Sequence, residues 1–237
     1  GRDDMVNRLF LVNPNTQAAT TAAMVDIASD VAPPGIEVVG LTVKAGPPVI
    51  VEPVALAAAA QAVLEAVEGI DTGRSLGVLI AAFGDPGLAQ TRRRLRVPVT
   101  GIGEAGMAEA GQRGRPFAVV TTTPDLVESI HAQARTYGHD SAFLGVRLTP
   151  GDPLSLMADP ARLLDALEEA CRVATERDGA QAILIGGGPL AQAARALRER
   201  LRAPHTVEIV EPIPAAVRLA LARAAASGAI GRQGWGQ

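Results

Sequence analysis

The sequence predicts an α/β protein built from two pseudo-symmetric parallel-sheet subdomains, with the site in the cleft between them. Three observations carry this expectation. Short β-rich runs alternate with longer alanine-rich helical stretches, the pattern of a parallel sheet with helices on its faces. The runs VLIAAF (78–83), FAVVT (117–121) and AILIG (182–186) are apolar throughout rather than alternating, as strands covered on both faces should be. The halves also echo each other. A polar, Thr-containing turn ends a strand at Asn13 and again at Thr121, 108 residues on, and a glycine turn follows a strand at Ala82 and again at Gly187, 105 residues on.

In chain order, strands are expected at Leu9–Val12, Glu37–Val43, Gly77–Ala82, Val97–Ile102, Phe117–Thr121, Phe143–Leu148, Ala182–Ile185 and Thr206–Val210. Helices are expected at about 17–30, 53–68, 87–95, 103–112, 124–137, 158–178, 189–202 and 212–226. The helix at 124–137 follows Thr123-Pro124, a cap residue with proline in the first turn. Within 158–178, Leu163, Leu164, Leu167, Cys171 and Ala174 share one face, so the only cysteine reads as a core residue. The first subdomain takes 5–102 plus 212–230, the last helix returning to it, and the second takes 103–211. Residues 1–4, ahead of Met5, read as a tag remnant outside the fold.

Composition narrows the function. Twenty-two Lys+Arg against 25 Asp+Glu, a net charge of -3, give no general electrostatic reason to bind nucleic acid or an anionic membrane. Lys44 is the only lysine, and its LTVKAG surroundings do not recommend Schiff-base or pyridoxal chemistry. A single cysteine excludes an intramolecular disulfide, and with three scattered histidines it argues against a metal site. No apolar stretch is long enough to span a bilayer, and no signal-peptide pattern is present, so a soluble cytoplasmic protein is expected. A symmetric homo-oligomer is the default assembly.

Four turns and three carboxylates could carry chemistry. NPNT at 13–16 offers the amides of Asn13 and Asn15, the Thr16 hydroxyl and backbone N–H groups at a helix start. That set suits a carboxylate or an imide carbonyl, and it equally suits helix capping by Asn15 or Thr16. In TTTPD at 121–125, Thr123 is the cap, which leaves Thr121 and Thr122 to face the cleft. FGDPG at 83–87 has Gly84 and Gly87 for close backbone approach, with Asp85 either a turn and capping residue or, if burial raises its pKa, a general base. IGGGPL at 185–190 brings three glycines into a helix start, where amides of Gly187 and Gly188 could form an oxyanion nest; no P-loop lysine follows. Glu104 in GIGEAG and Glu211 in VEPIP end strands, and each can point into the cleft or cap the next helix. His131, His139 and His205 have no sequence partner that makes a base of them, and Arg92–Arg94 read as a solvated helix face.

In order along the chain, LFLVNPNT, GPPVI, AAFGDPGL, PVTGIGEAG, FAVVTTT, YGHDSAFLGVR and AILIGGGPLA resemble the Asp/Glu/hydantoin racemase superfamily, in its hydantoin and allantoin racemase branch. The resemblance implies two pseudo-symmetric halves around one site and cofactor-independent chemistry. One cysteine removes the α-proton of the substrate and a second, on the opposite face, returns one, because a thiol of near-neutral pKa serves as base in one direction and acid in the other. The matching positions here are Ala82 and Gly187. Neither a methyl group nor a hydrogen exchanges a proton, so the resemblance brings the scaffold without the two-thiol reaction. It also implies that Asn13, Asn15, Thr121 and Thr122, with amides near Phe83–Gly84 and Gly187–Gly188, hold a small carboxylate or hydantoin-like ring. Two functions follow. One is an isomerase, lyase or decarboxylase whose proton transfer falls to Asp85, Glu104, Glu211 or water; the other is a non-catalytic, ligand-binding pseudo-enzyme.

Overall fold

The computed structural model describes residues 7–202 and 207–230; His205 and the expected strand start at Thr206 lie outside them. The elements run β1 (Asn7–Asn13), α1 (Ala18–Val31), β2 (Ile36–Thr42), α2 (Pro53–Val67), β3 (Ser75–Ile80), α3 (Leu88–Arg94), β4 (Val99–Gly101) and α4 (Ile102–Ala110). They continue with β5 (Phe117–Thr121), α5 (Val127–Thr136), β6 (Phe143–Leu148), α6 (Pro153–Met157), α7 (Pro160–Glu176), β7 (Ala182–Ile185), α8 (Ala191–Arg200), β8 (Glu208–Val210) and α9 (Pro212–Ala226).

These strands form two four-stranded sheets of the same order, β2-β1-β3-β4 and β6-β5-β7-β8, parallel at every pairing. The sequence echo is therefore a repeat of topology. All of β5 and β7 is buried, and so is β3 beyond its first residue, which is why these runs carry no polar alternation. α9, the last element among the described residues, packs back on α4, β3, α1 and β4.

One core cluster runs through both halves, joining Leu9, Leu11 and Leu79 to Phe117, Val119 and Leu184 by way of Ile102, Met107 and Val217. Two smaller clusters lie on the outer faces, one under α2 and one under α7 and α8. Cys171 belongs to the latter, where burial pushes its thiol up to about 12. A thiol kept protonated in this way is a packing group, not a nucleophile.

Local chemistry explains where the elements depart from the periodicity. α6 is a separate short helix ahead of α7, because Asp152 and Asp159 each cap a new start followed directly by proline. The stretches entered through Pro124 and Pro189 open as tight 3₁₀ turns before α5 and α8. β3 ends at Ile80, two residues short of expectation, so Ala81 to Gly84 belong to a turn.

Candidate functional site

The two central strands of each sheet deliver four turns to one place: Asn13–Asn15 after β1, Ala81–Gly84 after β3, Thr121–Thr123 at the end of β5, and Gly186–Pro189 after β7. Carboxyl ends of parallel strands are where open α/β sheets place ligands. The turns enclose a cavity of about 820 Å³, counting its open mouth. Ser129 and Gln133 of α5 complete its polar part. Val49, Ile50, Val51, Leu56, Leu126, Ile130, Leu154 and Met157 make the remainder apolar.

Within the NPNT turn, Asn13 is 1% exposed and its Nδ2 lies 2.9 Å from Asn15 Oδ1, 3.0 Å from Thr21 Oγ1 and 3.1 Å from the Gln17 carbonyl. Asn13 Oδ1 in turn accepts from the Asn15 N–H, and Asn15 Oδ1 from the Gln17 N–H. The two amides thus build the turn as well as line the cavity. Thr16 is not on the wall. Its N–H donates to the Pro47 carbonyl at 3.2 Å, which holds the segment carrying Val49 and Ile50. Across the cavity, Thr121 Oγ1 donates to the Gly186 carbonyl at 3.3 Å, tying two turns of the second half together. Thr122, 1% exposed, lines the wall beside it.

Ala82 and Gly187 both line the cavity, one from each half. Gly187 has φ +112° and ψ 131°, a region essentially reserved for glycine. A Cβ on the neighbouring Gly188 would lie 2.7 Å from the Ala81 carbonyl oxygen, so the two turns can approach only because that residue is glycine. The N–H groups of Phe83, Gly84, Gly187 and Gly188 make no backbone hydrogen bond among the described residues. Four uncommitted amides, two from each half, therefore belong to residues of the wall.

All three candidate carboxylates lie off this wall. Asp85 accepts four hydrogen bonds: from the N–H groups of Gly103 (3.0 Å) and Glu104 (2.8 Å) at the start of α4, from Gln133 Nε2 (3.0 Å) and from the Tyr137 hydroxyl (2.6 Å). Glu104 is held by Arg92 and Arg223, each at 2.7 Å; against the upward push of burial, these guanidiniums keep its carboxyl below the usual range. Glu211, where α9 starts, is buried, which raises its pKa. Arg198 reaches its Oε2 at 3.3 Å, and its Oε1 has no partner. Among the described residues, no acid, base, thiol or cation lines the cavity. The apolar rim and the α5 residues Ser129 and Gln133 were not anticipated from the sequence. The only signal was the i, i+4 spacing that puts 129 and 133 on one helical face.

Burial drives the Asp85 carboxyl up to about 7, against the pull of Tyr137 and the two backbone donors. The unfolded chain gives up this proton near the usual 3.8 and the folded chain keeps it to about 7. Over that interval the folded state holds more protons, so stability falls as pH rises. Denaturant unfolding between pH 4 and 8 should show this group's contribution declining by about 4 kcal/mol, with the decline absent in Asp85→Asn.

The Asp/Glu/Hydantoin racemase family model matches residues 9–220. A hydantoin racemase of Paenarthrobacter aurescens is 28% identical over 214 residues, covering 90% of this chain and 89% of that protein. The solved structure of an allantoin racemase from Klebsiella pneumoniae has a TM-score of 0.85 at 31% identity, over 93% of this chain and 88% of that one. An allantoin racemase structure from Pseudomonas fluorescens gives 0.84 at 30% identity, over 94% and 92%.

Proposed function

Because the chain belongs to the Asp/Glu/hydantoin racemase family, we propose that it binds a small carboxylate or hydantoin-like ring in this cavity, without two-thiol proton exchange. Residues 5–102 plus 212–230 and 103–211 act as the two subdomains that bound it. Asn15, Thr121 and Thr122 offer side-chain partners, and the free amides of Phe83, Gly84, Gly187 and Gly188 suit carbonyl or carboxylate oxygens. The observation that carries the reading is the wall itself, amide-rich and, among the described residues, free of ionisable side chains. A general base must come within hydrogen-bond reach of the proton it takes. Ala82 and Gly187, where the resemblance puts the cysteines, offer none, and Asp85, Glu104 and Glu211 are turned to other partners.

The test is exchange of the C5 proton of 5-isopropylhydantoin, and of amino-acid α-protons, into D2O, together with melting curves. The expected result is a higher Tm with ligand, about 2.7 kcal/mol at one hundred times Kd, and no exchange above the buffer rate. Exchange catalysed by the unmodified protein would refute the loss of racemase chemistry. A second reading keeps turnover, as an isomerase or lyase in which water takes the proton and returns one, or as a decarboxylase in which loss of carbon dioxide leaves an enolate-like intermediate that water protonates; the four free amides, placed to stabilise that intermediate, favour it. Product formed from hydantoins or substituted malonates would select it.

A further inference from the structure

We propose that Asp85 is a positioning residue, whose carboxylate clamps the Phe83–Gly84 wall of the cavity onto α5 and so fixes the aim of the two free amides on that wall. The inference rests on the reading of the cavity as a ligand site. Gln133 of α5 and Tyr137, the C-cap residue that follows it, lie one helical turn apart and grip the 83–85 segment together. Gln133 Nε2 donates to the Phe83 carbonyl at 2.7 Å and reaches Asp85 Oδ2 at 3.0 Å, while the Tyr137 hydroxyl donates to the same Oδ2 at 2.6 Å. Through the N–H groups of Gly103 and Glu104, the carboxylate also fastens the turn to the start of α4.

Two features show that the surroundings are shaped for this group. Asp85 sits at φ +50°, a conformation that costs a non-glycine residue energy and persists where its neighbours over-determine it. A Cβ at Gly101 would lie 2.2 Å from Asp85 Oδ1, and one at Gly103 would lie 2.0 Å from the Phe83 carbonyl oxygen, so both glycines leave room for the clamp. The charges facing it are accounted for. Glu104 is the neighbouring carboxylate and is neutralised by Arg92 of α3 and Arg223 of α9, which leaves Asp85 to serve Tyr137. Gln133 belongs to both the clamp and the cavity wall, so ligand and carboxylate share a partner.

At pH 8, above the Asp85 pKa of about 7, where the group is the carboxylate of the clamp, the test compares the unmodified protein with Asp85→Asn, which keeps the shape but turns one acceptor into a donor, and with Tyr137→Phe, which removes one donor. Hydrogen exchange is read at the amides of positions 85 and 88, which bond to the Ala82 and Asp85 carbonyls within the turn. Exchange there should quicken about tenfold or more in Asp85→Asn and a few-fold in Tyr137→Phe, with β5 and β7 unchanged. Tyr137 is the only tyrosine, so tyrosine labelled with carbon-13 at Cζ gives one resonance, which should move in Asp85→Asn. Affinity for 5-isopropylhydantoin should fall about tenfold in the same variant. Unchanged exchange at 85 and 88 in both variants overturns the clamp, as does a uniform rise through β5 and β7. If the unmodified protein does not bind the hydantoin, the proposed function fails, and exchange at 85 and 88 still decides the clamp.

Discussion

Gly103→Ala is expected to destabilise the protein by about 3 kcal/mol or more, measured as a shift of the urea midpoint. Intrinsic propensity points the other way, since Gly103 lies in the first turn of α4 and alanine is favoured over glycine in helices by about 1 kcal/mol. Contact decides the sign. The new Cβ would meet the Phe83 carbonyl oxygen at 2.0 Å and Gln133 Nε2 at 2.3 Å, so the atoms in the way are a backbone carbonyl and its own hydrogen-bond donor. Relief requires pushing the 83–85 turn off α4, which also breaks the bonds to Asp85. Gly69→Ala is the control, its nearest neighbour being the Ala66 carbonyl at 3.8 Å, and should stay within about 0.5 kcal/mol. A Gly103→Ala protein as stable as its parent would show that the turn does not rest on α4 in this way.

Ala82→Cys with Gly187→Cys is expected to raise α-proton exchange by about a hundredfold or more over the parent and over either single variant. The two positions are not equivalent. Ala82 already carries a Cβ on the cavity wall, so its cysteine adds one sulfur atom and should leave stability nearly unchanged. At Gly187 there is room, with Leu190 no closer than 3.6 Å, but φ +112° opposes any side chain, at a cost of about 1–3 kcal/mol. Gly187→Cys should therefore melt lower than Ala82→Cys. Exchange of the hydantoin C5 proton in D2O, followed by NMR, is the readout. A folded double variant that binds hydantoin and does not exchange it would count against the proposed match of positions 82 and 187 to a proton-exchanging thiol pair.

Much of the fold was legible because burial on two faces writes itself into composition. The wholly apolar runs at 117–121 and 182–185 became β5 and β7 with the expected bounds, and the β6 stretch did too. What escaped was local. The Asp152-Pro153 start of α6 is too short to show helical periodicity, and it supplies Leu154 and Met157 to the cavity. The turns were legible as a set, since strand ends in the two halves matched, and all of them meet at the cavity. The carboxylates were not. An acid after a strand looks the same whether it faces a cleft or a helix start, and only the partners of Asp85 and Glu104 separate the two roles. Glu211 was equally ambiguous, because its partner Arg198 sits on α8, in the element before β8 and at no local spacing that would mark the pair.

The place of α9 bears on how the chain folds during synthesis. Its Ile213, Ala216, Val217, Ala220 and Ala224 are buried in the same cluster as Leu9, Leu11 and Leu79, and Arg223 ties it to Thr100 and Glu104. The first sheet, though translated first, therefore lacks part of its cover until residues 212–226 have left the ribosome. The outer cluster of the second sheet under α7 and α8, by contrast, is drawn entirely from residues 118–209. The buried members of the first sheet's outer cluster come from residues 10–99, so both outer faces are complete before the inner cluster that the two sheets share with α9. The β1–β4 sheet must wait with an apolar face exposed, the condition under which a nascent chain is most open to aggregation and to chaperones.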